Sequence, residues 1–112
     1  MMSAMNIKGK AMVLITSEQL EQLNKAGYSG MVPIVKLFNP TGAGTWLVTG
    51  IEDGILYGYA DLGMGCVEWG GLFSMEELVA TRFRMGLGME RDRHWSPKEG
   101  TKYLSLESLD GV

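Results

Sequence analysis

Apolar and polar positions along this chain change period several times, and each change marks a predicted element. Thr16 and Gln19 have capping-box spacing, with Ile15 and Leu20 at the flanking staple positions. Leu20 and Leu23 then form a narrow apolar stripe, Glu18, Glu21, Gln22 and Lys25 a polar face, and Gly27 a stop. The pattern predicts a helix over Ser17–Ala26, too short to persist without packing on something. Ser74 and Glu77, with Phe73 and Leu78 at the staple positions, repeat the same start signal. Met75, Leu78, Val79 and Phe83 recur at helical spacing, Arg82 and Arg84 suit the last turn, and Gly86 follows. A second helix is therefore expected over Ser74–Arg84.

Between and around the helices the period shortens to that of strands. Ala11–Ile15 reads as extended. Val32–Phe38 is a strand with Pro33 tolerated near its start. Asn39-Pro40-Thr41-Gly42-Ala43-Gly44 is turn chemistry, and Thr45–Ile51 is β-branched and aromatic. Asp53-Gly54 is a hairpin signal leading into Ile55–Ala60. Val67–Phe73 follows, with Gly70 and Gly71 marking a bulge. Gly88–Trp95 alternates, so an extended chain there would turn Glu90, Asp92 and His94 to one side and Arg91, Arg93 and Trp95 to the other. Lys102–Leu106 reads as a last edge strand. Short connections between successive strands favour an antiparallel meander. The expected fold class is α+β: a curved antiparallel sheet of about four to six strands with two short helices. Residues 1–11 form a loose arm, 12–106 a single domain and 107–112 a loose tail. The expected core holds Leu20, Leu23, Val35, Leu37, Trp46, Val48, Leu56, Leu78, Val79 and Phe83.

Composition narrows the class. A chain of 112 residues, 46% hydrophobic and 21% charged, suits one ordered globular domain. A net charge of −3 argues against a general nucleic-acid binder, although every arginine lies between Arg82 and Arg93. The single cysteine and the lack of a CxxC pair suit a reducing, cytoplasmic setting. No apolar run approaches the roughly 18 residues of a membrane span, and the N-terminus lacks a signal-peptide core.

The centre of the chain is the glycine-rich junction from Asp61 to Gly71, which keeps Asp61 and Glu68 near a sharp turn. Asp61, Glu68, Glu90, Asp92 and His94 form one candidate set: carboxylates with a histidine suit Mg²⁺ or Mn²⁺ and metal-assisted phosphoester hydrolysis. The plainer reading is that these groups pair with cations or cap backbone N–H groups. Arg82, Arg84, Arg91 and Arg93, with Trp95, form a second candidate, a surface for an acidic protein or for nucleic acid. Its plainer reading is pairing with Glu76, Glu77, Glu90 and Asp92. Cys66 with His94 is a weak nucleophile pair, more often a small buried residue. Gly42-Ala43-Gly44 beside Lys36 lacks the P-loop ending and reads as a hairpin turn, with Lys36 facing away from Val35 and Leu37. Met64, Met85 and Met89 flank glycines and serve either as an adaptable contact surface or, the favoured reading, as core filling and loop anchors. The junction and the Glu90–Trp95 strand are expected side by side, with Arg91 or Arg93 reaching Asp61 or Glu68.

Pro33–Pro40 with Gly42 and Thr45-Trp46-Leu47, then Asp61-Leu62-Gly63-Met64-Gly65 with Glu68 and Gly70, then Gly86-Leu87 with Glu90-Arg91-Asp92, together resemble a small bacterial family. It is plasmid- and phage-borne and catalogued as domain of unknown function 2958. The resemblance spans roughly Met12 to Trp95. Cys66 and Val67 stand where an aromatic and a proline are more usual, and the loop at Glu52–Gly54 is shorter than the usual acidic insert. The resemblance implies a mobile-element context and supplies no catalytic residues. The expected function is a non-enzymatic interaction module that binds a host or element-encoded protein, for example to inhibit host defence. Its binding surface is drawn from Arg91, Arg93, Trp95, Asp61, Glu68, Trp69 and Met64, without cofactor or membrane. Nucleic acid and a homodimer remain as other partners, and the metal-dependent hydrolase is the alternative activity.

Overall fold

The computed structural model describes residues 14–97. The expected arm over 1–11, tail over 107–112 and edge strand Lys102–Leu106 lie outside that range. Five strands, β1 (Val35–Phe38), β2 (Thr45–Glu52), β3 (Ile55–Asp61), β4 (Val67–Ser74) and β5 (Glu90–Arg91), form one antiparallel sheet in the order β4-β3-β2-β1-β5. Two helices, α1 (Ser17–Ala26) and α2 (Met75–Ala80), complete an α+β fold. Both helices start as the sequence predicts. The Thr16 hydroxyl accepts the Gln19 N–H at 3.1 Å while the Gln19 side chain accepts the Thr16 N–H at 2.9 Å; Ser74 and Glu77 repeat the exchange at 3.0 and 2.8 Å. The described end of the Ala11–Ile15 run is not a strand: Leu14 is helical, Ile15 lies in a bend, and both are buried.

The register of the sheet follows from its turns. Asp53 (φ 52°) and Gly54 (φ 77°) both have left-handed backbones, which matches a two-residue type I′ turn, and Glu52 pairs with Ile55 across it. A bulge at Leu72, beside the Gly70-Gly71 pair, shifts β4 against β3 between Phe73 and Gly71. A second bulge at Thr49 shifts β2 against β3; the Thr49 hydroxyl donates to the Tyr57 carbonyl at 3.2 Å. Gly50 lies just beyond it, where the backbone of Gly27 at the end of α1 crosses β2. A Cβ on Gly50 would lie 1.7 Å from the Gly27 carbonyl oxygen, so only glycine lets helix and strand approach this closely.

One face of the sheet carries the main core. Leu23, Val35, Leu37, Val48, Leu56, Leu78 and Val79 are buried there with Leu14, Ile15, Ile51 and Met89; Leu20, Trp46 and Phe83 pack against them. All ten expected core residues belong to this set. The second face carries a smaller cluster of Leu47, Tyr59 and Val67, with Trp69 and Trp95 packed on it.

Helix α2 ends at Ala80, one turn short of the expected Arg84. Thr81 is extended (φ −61°, ψ 132°), and its hydroxyl donates to the Glu77 carbonyl at 2.6 Å. Arg82 Nη1 donates to the carbonyls of Val79 and Thr81 at 2.9 and 2.7 Å, so it caps the C-terminus it was expected to continue. Beyond it Phe83 stacks on Trp46, ring centroids 6.2 Å apart and planes inclined by 22°. That tertiary contact, with a closed loop from Arg82 to Gly88, replaces the last helical turn. The loop is held by hydrogen bonds from Phe83 N to Leu87 O at 2.7 Å and from Gly86 N to Phe83 O at 3.1 Å.

Candidate functional site

Alternation and register place each candidate side chain. Val35 and Leu37 face the main core, so Lys36 between them faces the second side, as expected, where its register partner is Leu47. The row through these residues runs Lys36, Leu47, Tyr59, Trp69. The neighbouring row on the same face runs Glu90, Phe38, Thr45, Asp61, Val67. A row on the core face runs Arg91, Leu37, Trp46, Ala60, Glu68. Asp61 and Glu68 therefore point to opposite faces of the sheet.

This topology corrects the expected meeting of the junction with the Glu90–Trp95 segment. Strand β5 returns beside β1, at the edge opposite β4. Asp61 is three strand spacings from Glu90, about 14 Å, and Glu68 four from Arg91, about 19 Å. Ion pairs among the described residues join Lys25 to Glu21 and Lys36 to Asp92, and none involves an arginine. The pairing of arginines with Glu76, Glu77, Glu90 or Asp92 is thus not formed either. Asp61 instead closes the start of its own loop, its Oδ1 accepting the Gly63 N–H at 2.9 Å. Asp61, Glu68, Glu90, Asp92 and His94 do not converge: no group of three His, Cys, Asp or Glu among the described residues could hold a metal ion. Cys66 is exposed in the β3–β4 loop, at the other edge from His94.

The extended Gly88–Trp95 run is also shorter than expected. β5 covers only Glu90–Arg91, with the Asp92 N–H donating to the Lys36 carbonyl at 3.0 Å. Asp92 Oδ1 then accepts the His94 N–H at 3.0 Å and turns the chain. The turn breaks the alternation and carries Trp95 back over the second face, where it packs with Trp69 on Leu47, Tyr59 and Val67. Burial there pushes the Tyr59 hydroxyl pKa above its ordinary value. Among these elements, Trp69 Nε1, Trp95 Nε1 and Arg91 Nη1 are buried donors without a hydrogen-bond partner.

An open groove of about 690 Å³ lies where β1 and β5 meet the Asn39–Gly44 turn. Its walls include Glu90, Arg91, Asp92, Arg93, His94 and Lys36. The turn contributes Asn39, whose Oδ1 accepts the Thr41 N–H at 2.8 Å and whose Nδ2 donates to the Ala43 carbonyl at 3.1 Å. Leu14, Phe38 and Met89 supply apolar wall. The glycine turn is a hairpin turn, as expected, and it also shapes the groove. Leu14 and Phe38 carried no sequence signal for a site, because both read as ordinary apolar positions.

A family model described as "Protein of unknown function (DUF2958)" matches residues 9–109, and so takes in both edges of the sheet and the groove. The chain belongs to that family. No curated protein and no solved structure matches it. The residues that carried the resemblance now have places: Lys36, Phe38, Asn39 and Gly42 with Glu90, Arg91 and Asp92 at the groove, Asp61 and Gly63 at the β3–β4 loop. The remaining surface candidates of this DUF2958 chain separate by exposure. Met64 (80% exposed) and Met85 (92% exposed) stand free of the core, against the favoured reading, whereas Met89 (6%) fills it. Among the described residues no helix is long and apolar enough to cross a membrane.

Proposed function

We propose that this DUF2958 chain is a non-enzymatic interaction module that binds a protein partner through the β1–β5 groove. The observation that supports this reading is the groove itself: it gathers five consecutive charged or ionisable side chains, Glu90 to His94, with Lys36 and an apolar wall. A mixed apolar and arginine-bearing surface is the composition of a protein-binding patch. The scatter of Asp61, Glu68, Glu90, Asp92 and His94 over two faces and two edges supports binding over metal-assisted hydrolysis. The mobile-element context that the resemblance implies favours a bacterial cytoplasmic partner, host or element-encoded, such as a component of host defence.

A photo-crosslinking residue placed at Arg93, in the exposed turn lining the groove, tests this in cells, with the same residue at Glu21 on the outer face of α1 as control. The expected result is a discrete protein adduct from position 93, absent at position 21 and lost when Arg91 is reversed to Glu in a folded variant. Adducts of equal yield at both positions, or metal-dependent cleavage of DNA by the purified chain, would reverse the assignment.

A further inference from the structure

Arg91 has a buried guanidinium nitrogen, and among the described residues no acid meets it. Its Nη1 is shielded from solvent and lacks a partner, although the side chain lines the groove. Glu90 precedes it but points to the other face of the sheet, by its pairing with Phe38. Asp92 is occupied twice, by Lys36 Nζ at 3.5 Å and by the His94 N–H at 3.0 Å. Glu68 shares the row of Arg91 but stands at the far edge of the sheet. A buried N–H donor left without an acceptor carries a desolvation cost that an incoming carboxylate oxygen relieves.

We infer that the groove seats the carboxylate of an aspartate or glutamate from the partner protein on Arg91, with that residue's aliphatic neighbour against Leu14 and Met89. The inference rests on the protein-binding reading of the groove. Charge selects the ligand class. Of the charged side chains that line the groove, Lys36 and Asp92 pair with each other and Glu90 faces the other side of the sheet, which leaves a cationic surplus at Arg91 among the described residues. One carboxylate balances the surplus, whereas a nucleic-acid backbone would bring successive phosphates against Glu90 and Asp92, on a chain whose net charge is already −3. Geometry agrees, because the planar guanidinium fork matches a carboxylate in two parallel hydrogen bonds after rotation of its terminal torsions. Leu14 and Met89 are 8% and 6% exposed, so the wall beside Arg91 is fixed by the core and does not need to be ordered on binding.

The test is an NMR titration of the full-length ¹⁵N-labelled chain with three probes: acetyl-Leu-Glu-Leu-amide, its Gln counterpart and oligothymidylate. The Glu peptide is expected to shift the Arg91 and Lys36 signals saturably, and the Gln peptide to bind at least about tenfold more weakly. Arg91→Lys, which keeps charge but loses the fork, should weaken the Glu peptide about tenfold, and Arg91→Gln should remove the preference for Glu. Arg84→Gln, in the exposed loop outside the groove, should change neither. Equal binding of the Glu and Gln peptides in the groove overturns the carboxylate while leaving the protein-binding reading intact. Oligothymidylate binding in place of either peptide overturns both. No shift of a groove signal by any probe at about 10 mM, far into the weak-binding range, overturns the carboxylate and leaves the crosslinking result to decide the wider reading.

Discussion

Lys36 Nζ lies 3.5 Å from Asp92 Oδ2, tying β1 to the residue that follows β5. The two side chains are 29% and 28% exposed, so solvent screens the pair only in part. Asp92 also holds the turn through His94 N, so its two roles separate by substitution. Asp92→Ala should lower the unfolding free energy by about 1–2 kcal/mol, through loss of a cap-like acceptor and the pair together. Lys36→Ala should lower it by less than about 1 kcal/mol, and Asp92→Asn, which keeps an acceptor for His94, should behave like Lys36→Ala. Urea unfolding of the three variants checks the order.

A tight backbone approach joins Gly50 of β2 to Gly27 at the end of α1. A methyl group at Gly50 would sit 1.7 Å from the Gly27 oxygen and 2.8 Å from its carbonyl carbon, backbone atoms that cannot swing away as a side chain does. Gly50→Ala should therefore cost about 3 kcal/mol or more, at the upper end of overpacking effects. Gly70→Ala is the matched control, since a Cβ there meets nothing within 4 Å; its effect should stay within about 0.5 kcal/mol. Thermal melts of both proteins measure the contrast. Equal losses would show that α1 can slide away from β2.

Features set within a few residues were legible in the sequence. Both capping boxes, the Asp53-Gly54 turn and the four-strand meander formed as expected, because each depends on neighbours in the chain. The inward stripe of the main core and the outward Lys36 followed from period alone. What failed was decided by distant partners. Phe83 left the helical pattern because Trp46 offered its ring a stacking surface, and Arg82 turned back to cap the helix. β5 chose β1 over β4, a choice between two open edges on which the local pattern of Gly88–Trp95 is silent. The scattered carboxylates followed from that choice. So did the position of Trp95, which read as surface and instead covers Tyr59.

Burial of Tyr59 gives the second face a signature at high pH. The sheltered phenol resists ionisation, so its folded pKa is raised above the unfolded value near 10. The stability it contributes is fully present below about pH 10 and is lost as pH rises through the folded pKa, because the unfolded chain releases its proton first. Tyr59→Phe should flatten the fall in stability above about pH 10 and remove the latest phase of the phenolate absorbance titration. Loss of phenolate amplitude near pH 10, in place of the latest phase, would mean that the ring is solvated.

Met85 is the sharpest probe of surface function outside the groove. Its backbone is left-handed (φ 61°, ψ 18°) and its side chain is 92% exposed, at the tip of the loop closed by the Arg82–Gly88 bridge. A left-handed backbone costs a non-glycine residue roughly 1–2 kcal/mol, and an exposed thioether recovers almost nothing by packing. Glycine removes that strain but adds about 0.5–1 kcal/mol of chain entropy to the unfolded state. Met85→Gly should therefore leave stability unchanged or raise it by up to about 1 kcal/mol. The partner captured by the Arg93 crosslinker then gives the second measurement. Weaker capture by Met85→Gly, at equal or higher stability, would make Met85 an anchor that the partner buries, and would extend the binding surface from the groove to this loop. Unchanged capture would confine the surface to the groove. A clear loss of stability would show that the Met85 side chain packs on the body of the domain, contrary to its exposure.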